Sequence, residues 1–213
     1  MHVLIDKLSP TFLEKEKILS SGCWNKTLHF EAAERIHIVA PSGRGKTSLI
    51  HFLYGMRKDY TGSILFDNKD VKEMNAESLA TLRSHQLSII FQDLKLFPQH
   101  TVKENIEVKR NLAPYYNAKS IEEMATILGI ASKLSKPVST CSYGEQQRIA
   151  IIRSLQQPFD FLVMDEPFSH LDEANRHKAM ELIIDEASKR NASLLLADLE
   201  QRDYFKADKI IAL

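Results

Sequence analysis

Two cysteines, Cys23 and Cys141, are too few for a disulfide framework or a four-thiolate zinc site, which fits a reducing compartment. An excess of one charge is missing too. Lys+Arg and Asp+Glu number 28 each, so no long-range field draws the chain to nucleic acid or to an anionic bilayer, and partners must be recognised locally. No stretch approaches the ~18 apolar residues of a membrane span, and the start, Met1-His2-Val3-Leu4-Ile5-Asp6-Lys7, lacks the apolar centre of a signal peptide. Cytoplasmic residence is the expectation. Low-complexity tracts and Gly/Ser linkers are absent as well. That leaves 213 residues, 44% hydrophobic, enough to pack one core and expected to form a single domain over 1–213.

What is present is organised around Ala40-Pro41-Ser42-Gly43-Arg44-Gly45-Lys46-Thr47-Ser48. Ile36-His37-Ile38-Val39 alternates as a strand does, and the residues after Lys46 run as a helix until Gly55. A polyphosphate needs backbone N–H groups aimed at it, glycines that let the chain come close, and the positive end of a helix dipole. Gly43 and Gly45 supply the approach, Lys46 is spaced to reach the outer phosphates, and the Thr47 hydroxyl to sit on Mg²⁺. This is the spacing of a P-loop, except that Ala40 stands where the motif has glycine, which requires φ to stay negative there.

The rest of the chain reads as an antiparallel start leading into an α/β centre. His2 to Leu8 and Lys26 to Glu31 are strands, joined through a polar connection, Thr11 to Lys17, whose Phe12 is placed either to stack on a base or to pack under the loop. Thr61 to Asn68 is a short strand and Ala76 to Ser84 a helix. Leu87 to Phe91 is a buried strand that delivers Gln92 at its carboxyl end, where ligands of open α/β sheets bind. From Thr101 to Lys136 the pattern turns helical, with capping-box starts at Thr101 and at Ser120; the helical insertion spans approximately 95–157. Ser142 and Gly144 open a further helix and form a second anion site. Phe161-Leu162-Val163-Met164 is a fully apolar strand ending on Asp165 and Glu166. Two carboxylates there are costly unless a cation or proton occupies them, so Asp165 is assigned to Mg²⁺ and Glu166 to polarising a water. A helix from Glu173 to Lys189, a strand from Ser193 to Ala197 and a last apolar segment complete the chain.

The order of these motifs, with Ser142-Tyr143-Gly144-Glu145-Gln146-Gln147-Arg148, Asp165-Glu166-Pro167 and Ser169-His170-Leu171-Asp172 following the P-loop and Gln92, resembles the ATP-binding subunit of ABC transporters over essentially the whole chain. The segment Phe91 to Pro98 and the short C-terminus look most like the lipoprotein-release, macrolide-export and cell-division branch. The resemblance implies a P-loop NTPase core with an antiparallel β subdomain and an inserted helical lobe. It also implies ATP and Mg²⁺ as cofactors, a homo- or heterodimer of ATPase subunits, and a separate integral membrane permease, with the subunit peripheral at the inner face of the membrane and no nucleic acid bound. By the same resemblance ATP lies between Pro41 to Ser48 of one subunit and Ser142 and Gly144 of the other, with Phe12 near the adenine. Gln92, Thr47 and Asp165 serve the metal, Gln92 and Glu166 the catalysis, and Asp172 the dimer contact.

Three departures stand out. Cys141 and Tyr143 replace the usual Leu and first Gly of the family's Leu-Ser-Gly-Gly. The family's histidine after the strand that follows Glu166 falls at Ala197-Asp198, and the last histidine of the chain is His177. These departures raise the alternative of a slowly hydrolysing, ATP-dependent clamp. A DNA-repair or translation ATPase would require a coiled coil, zinc cysteines or a second ATPase half, and the sequence has none.

Overall fold

The computed structural model describes residues 1–213. Its centre is a five-stranded, wholly parallel sheet in the order β6 (Leu87–Ile90), β7 (Phe161–Asp165), β8 (Ser193–Asp198), β3 (Arg35–Val39), β9 (Lys209–Ala212). A parallel sheet covered on both faces needs apolar side chains on both, which is why β7 and β8 are buried at every position instead of alternating. Leu162, Met164, Leu194 and Leu196 enter one core. Phe161, Val163, Leu195 and Ala197 enter the other.

The second core is closed by an antiparallel sheet, in the order β2 (Thr27–Phe30), β1 (Val3–Pro10), β4 (Tyr60–Phe66), β5 (Lys69–Asp70). Helix α2 (Lys46–Leu53) inserts Leu49, Ile50, Phe52 and Leu53 into it. The polar connection after β1 runs into a short helix, α1 (Lys15–Leu19), which has no side-chain cap and buries nothing fully. Helix α3 (Ala76–His85) is capped by Asn75.

The first core belongs to the helical lobe: α4 (Val102–Leu112), α5 (Lys119–Ile127) and α6 (Tyr143–Leu155), completed by α7 (Glu173–Arg190). Both α4 and α6 start with a full capping box, Thr101 with Glu104 and Ser142 with Glu145. The expected box at Ser120 does not form. The helix starts two residues earlier, with Ala118 in the capping position, and the Ser120 hydroxyl faces instead the Asn117 carbonyl at 2.9 Å and Gln156 Oε1 at 3.0 Å, inside the lobe. Burial of a hydroxyl between two helices offered it better acceptors than the helix end did.

Candidate functional site

The loop between β3 and α2 holds the geometry that its spacing requires. Gly43 and Gly45 have φ of 79° and 101°, and Ala40 keeps a negative φ, so its methyl group costs nothing. Gly45 is fixed for a second reason: a Cβ there would stand 3.0 Å from Cζ2 of Trp24. That indole is fully buried behind the loop, and its Nε1 donates to the Arg44 carbonyl at 3.3 Å. On the outer side, Arg44 Nη1 donates to Ser20 Oγ at 3.1 Å. Helix α2 has no acidic residue in its first turn and no side-chain cap, so its leading N–H groups are left for an outside acceptor. Lys46, only 6% exposed, lies back across the loop. Its Nζ donates to the Ala40 carbonyl at 2.7 Å and the Pro41 carbonyl at 3.3 Å, and it stands 3.5 Å from Glu166 Oε1.

The carboxyl end of β7 supplies the acids. Asp165 is 2% exposed, and its Oδ1 has no hydrogen-bond partner. Burial, with the charges of Glu166 and Asp93 nearby, pushes its pKa up to about 6, while the neighbouring Thr47 hydroxyl and Lys46 pull the other way. An orphaned, reluctant carboxylate beside a hydroxyl is a good fit for a hard divalent cation. No three His, Cys, Asp or Glu side chains are placed so that they could hold a metal ion among themselves. One carboxylate and one hydroxyl suffice only where phosphate oxygens and water complete the shell, as for Mg²⁺ on a nucleotide. Glu166 follows with φ 45°, a left-handed conformation costly for a residue with a Cβ, anchored by its N–H to the Ala197 carbonyl at 3.0 Å.

Thr47, Gln92 and Asp165 meet in a cleft of about 330 Å³, together with His51, Phe91, Asp93 and Tyr143. His51 follows Thr47 by four residues on α2 and so shares its face, a signal present in the sequence but not used. A larger cleft of about 700 Å³, between the β4–β5 hairpin and α3, contains none of these groups.

Other candidates fall outside this cleft. Phe12 is half exposed. The Arg57 guanidinium lies 4.5 Å over its ring, and Phe52 is 6.5 Å away, so the ring is part packed and part available. Arg57 also donates to Ser48 Oγ at 3.3 Å, which ties the first turn of α2 to Phe12. Ser142 accepts from Glu145 N at 3.3 Å as the cap of α6, and Gly144 lets the Ser169-His170 loop approach, since a Cβ would meet the His170 carbonyl at 3.0 Å. Neither lines the cleft of its own chain. Asp172 caps α7, accepting from Asn175 N at 2.8 Å, and that bond holds its carboxyl below the usual range. Ala197 pairs with Asp165 and is 1% exposed, within the sheet and not at its rim. The last residue of β8 is Asp198, whose Oδ2 accepts from Arg202 Nε at 3.0 Å.

The profile of the ABC transporter family matches residues 24–169, which takes in the loop, Gln92, the start of α6 and the two acids. The lipoprotein-releasing system ATP-binding protein LolD of Legionella pneumophila (strain Lens) is 32% identical over 183 residues, 84% of this chain and 81% of that one. The macrolide export ATP-binding/permease protein MacB of Brucella abortus (strain 2308) is 34% identical over 160 residues, 74% of this chain and 25% of that longer protein. A bacterial ABC transporter cassette solved as a dimer superposes with a TM-score of 0.84 at 21% identity, covering 99% of this chain and 94% of that one.

Proposed function

The chain belongs to the ABC transporter family, and we propose how its own residues divide the work of an ATP-binding and hydrolysing subunit that powers a separate membrane protein. No helix of the protein is long and apolar enough to cross a membrane. We place the subunit at the inner face of that membrane, with the permease above it.

The observation that carries the assignment is the meeting of Lys46, Thr47, Asp165 and Glu166 at the carboxyl ends of β3 and β7. Backbone N–H groups of 41–48 receive the β- and γ-phosphates, and Lys46 leaves the loop carbonyls to neutralise them. Thr47, Gln92 and Asp165 would hold Mg²⁺. When bound, that ion draws charge from the bridging and outer phosphate oxygens. Glu166 orients a water and takes its proton as the water oxygen bonds to the γ-phosphorus and the bond to the bridging oxygen breaks, releasing ADP and phosphate. Phe12 offers its free ring surface to the adenine, and Ser48 steadies the first turn of α2 through Arg57.

Ser142 and Gly144 then act on the nucleotide of a second subunit, homo- or heterodimeric. Their absence from the cleft of their own chain, at the exposed N-terminus of α6, supports this division. The test is ATP hydrolysis by the purified chain, with and without Mg²⁺ and with its membrane protein in detergent. Hydrolysis that needs Mg²⁺ and rises with the membrane protein is expected. Activity that survives Glu166→Gln would remove the assignment.

A further inference from the structure

Phe12 sits in the turn that follows β1, 49% exposed, where a lone aromatic ring is free to change rotamer. Three contacts hold it. The main chain before it is pinned, because the backbone N–H and the hydroxyl of Thr11 both donate to the Asp59 carbonyl, at 3.1 and 3.0 Å. Phe52 of α2 stands tilted beside the ring, 6.5 Å away. Over the ring lies the Arg57 guanidinium, 4.5 Å from its centre and 5.6 Å from the centre of the Phe52 ring. That guanidinium is itself fixed. Arg57 Nε donates to Asp59 Oδ1 at 3.0 Å, Nη2 donates to Asp59 Oδ2, and Nη1 donates to Ser48 Oγ at 3.3 Å. An exposed ion pair alone adds little and leaves a long side chain free to swing. Here a two-pronged grip on one carboxylate and a bond to the first turn of α2 set the plane, and the plane is laid on two rings.

A cation over an aromatic ring is drawn to the negative face of the ring and occupies it. The exposed remainder of Phe12 stays open to a ligand. The geometry points to Arg57 as the positioning residue of the nucleoside end: it holds the Phe12 ring against α2, so that the open part of the ring meets the adenine of the nucleotide whose phosphates lie at the start of that helix. Arg57 acts through Phe12 and not on the nucleotide. One rigid element then governs both ends of the ligand. The leading N–H groups of α2 face the phosphates, while Ser48 in its first turn, through Arg57, fixes the ring. The distance from base to phosphate is set before the nucleotide arrives, and a ring already ordered does not lose its freedom on binding. The inference rests on the reading of Phe12 as the aromatic beside the adenine, and names the residue that holds it there.

The test is calorimetric titration of the full chain with MgATP and with magnesium tripolyphosphate, which carries the phosphate chain without the base. Wild type, Arg57→Ala, Phe12→Ala and the double variant are compared. Arg57→Ala is expected to weaken MgATP about three- to tenfold, the cost of ordering one free side chain on binding. Tripolyphosphate should bind it as it binds wild type, which also shows that the phosphate loop is still folded. In the Phe12→Ala background the same change should do nothing more, since its effect runs through the ring. Arg57→Lys, which has the cation without the planar fork, should recover part of the loss. In steady-state hydrolysis the loss should fall on KM and not on kcat. MgATP affinity lowered by Phe12→Ala but untouched by Arg57→Ala overturns the inference and leaves Phe12 in its place. So do losses that multiply in the double variant, or an equal loss for tripolyphosphate, which would make Arg57 a support of the phosphate loop instead. Phe12→Ala with no effect on MgATP removes the reading of Phe12 itself, and this inference with it, without touching the phosphate site.

Discussion

Tyr143 Oη donates to the main-chain carbonyl of Gln92 at 3.2 Å, so the first turn of α6 is tied to the wall of the cleft that Thr47 and Asp165 line in the same chain. The ring also rests 4.2 Å from His170. In the sequence this tyrosine looks like an obstacle placed where backbone should meet phosphate. In the structure the ring stays 42% exposed but leans on its own chain, as a strut between α6, the Gln92 turn and the loop before α7.

Tyr143→Phe should therefore cost about 1 kcal/mol, the net worth of one hydrogen bond, with the ring contact kept. Tyr143→Gly should cost more, since it also loses the His170 contact and places a glycine in the first helical turn. Urea unfolding of the three proteins checks the order. Equal midpoints for all three would mean that the strut carries no load in solution.

Trp24 is the only tryptophan of the chain, and it touches the loop from behind through Gly45 and the Arg44 carbonyl. Its emission is expected to shift when MgATP is added. Lys46→Ala should weaken nucleotide binding roughly 10–150-fold, the worth of a hydrogen bond to a charged group, and should move the fluorescence titration by that factor. An unchanged titration curve would count against the loop as the phosphate site.

Glu166→Gln keeps the shape of the side chain but cannot accept a proton. Hydrolysis should fall by about 10²–10⁴-fold while MgATP binding is retained. The variant should run as a dimer on gel filtration in saturating MgATP; a monomer there would speak against the two-subunit site.

Lys109 carries its own pH signature. Burial, with the charges of Arg153 and Arg83, lowers its folded pKa to about 8, below the usual 10.5 of a lysine, so from about pH 8 upward the unfolded chain holds the proton more tightly than the native one. Stability from this group is lowest below pH 8 and recovers as pH rises toward 10.5. Lys109→Met should raise the stability at pH 7 by an amount on the order of 1 kcal/mol, read as a higher melting temperature, and the advantage should shrink by pH 10.

Ala197→His probes the missing histidine. Because Ala197 lies inside the sheet against Asp165, an imidazole there overfills the core, and a loss of about 1–3 kcal/mol is expected. Thermal melts decide it; an unshifted melting temperature would show that the ring finds room at the rim.

Much of this was open to a reader of the sequence, because the phosphate loop depends on local spacing. Strand, two glycines, lysine and helix follow within one short segment, and the two acids close an apolar run that could only be a buried strand. Non-local contacts were hidden. Nothing near Trp24 in the sequence announces Gly45 as its neighbour, and nothing near Tyr143 announces Gln92. Ser120 was misread because a capping pattern is local, while the acceptor that won its hydroxyl, Gln156, is brought in by tertiary packing.

The division of β7 and β8 between two cores bears on how the molecule comes apart. Successive residues of one strand serve as walls to different compartments, so neither compartment can melt while the other keeps its wall. The helical lobe and the nucleotide-binding half are then one cooperative unit at the sheet, however freely their outer helices move. Amides of Phe161–Asp165 and Ser193–Asp198 should be the slowest in the chain to exchange with deuterium, and should do so only through global opening.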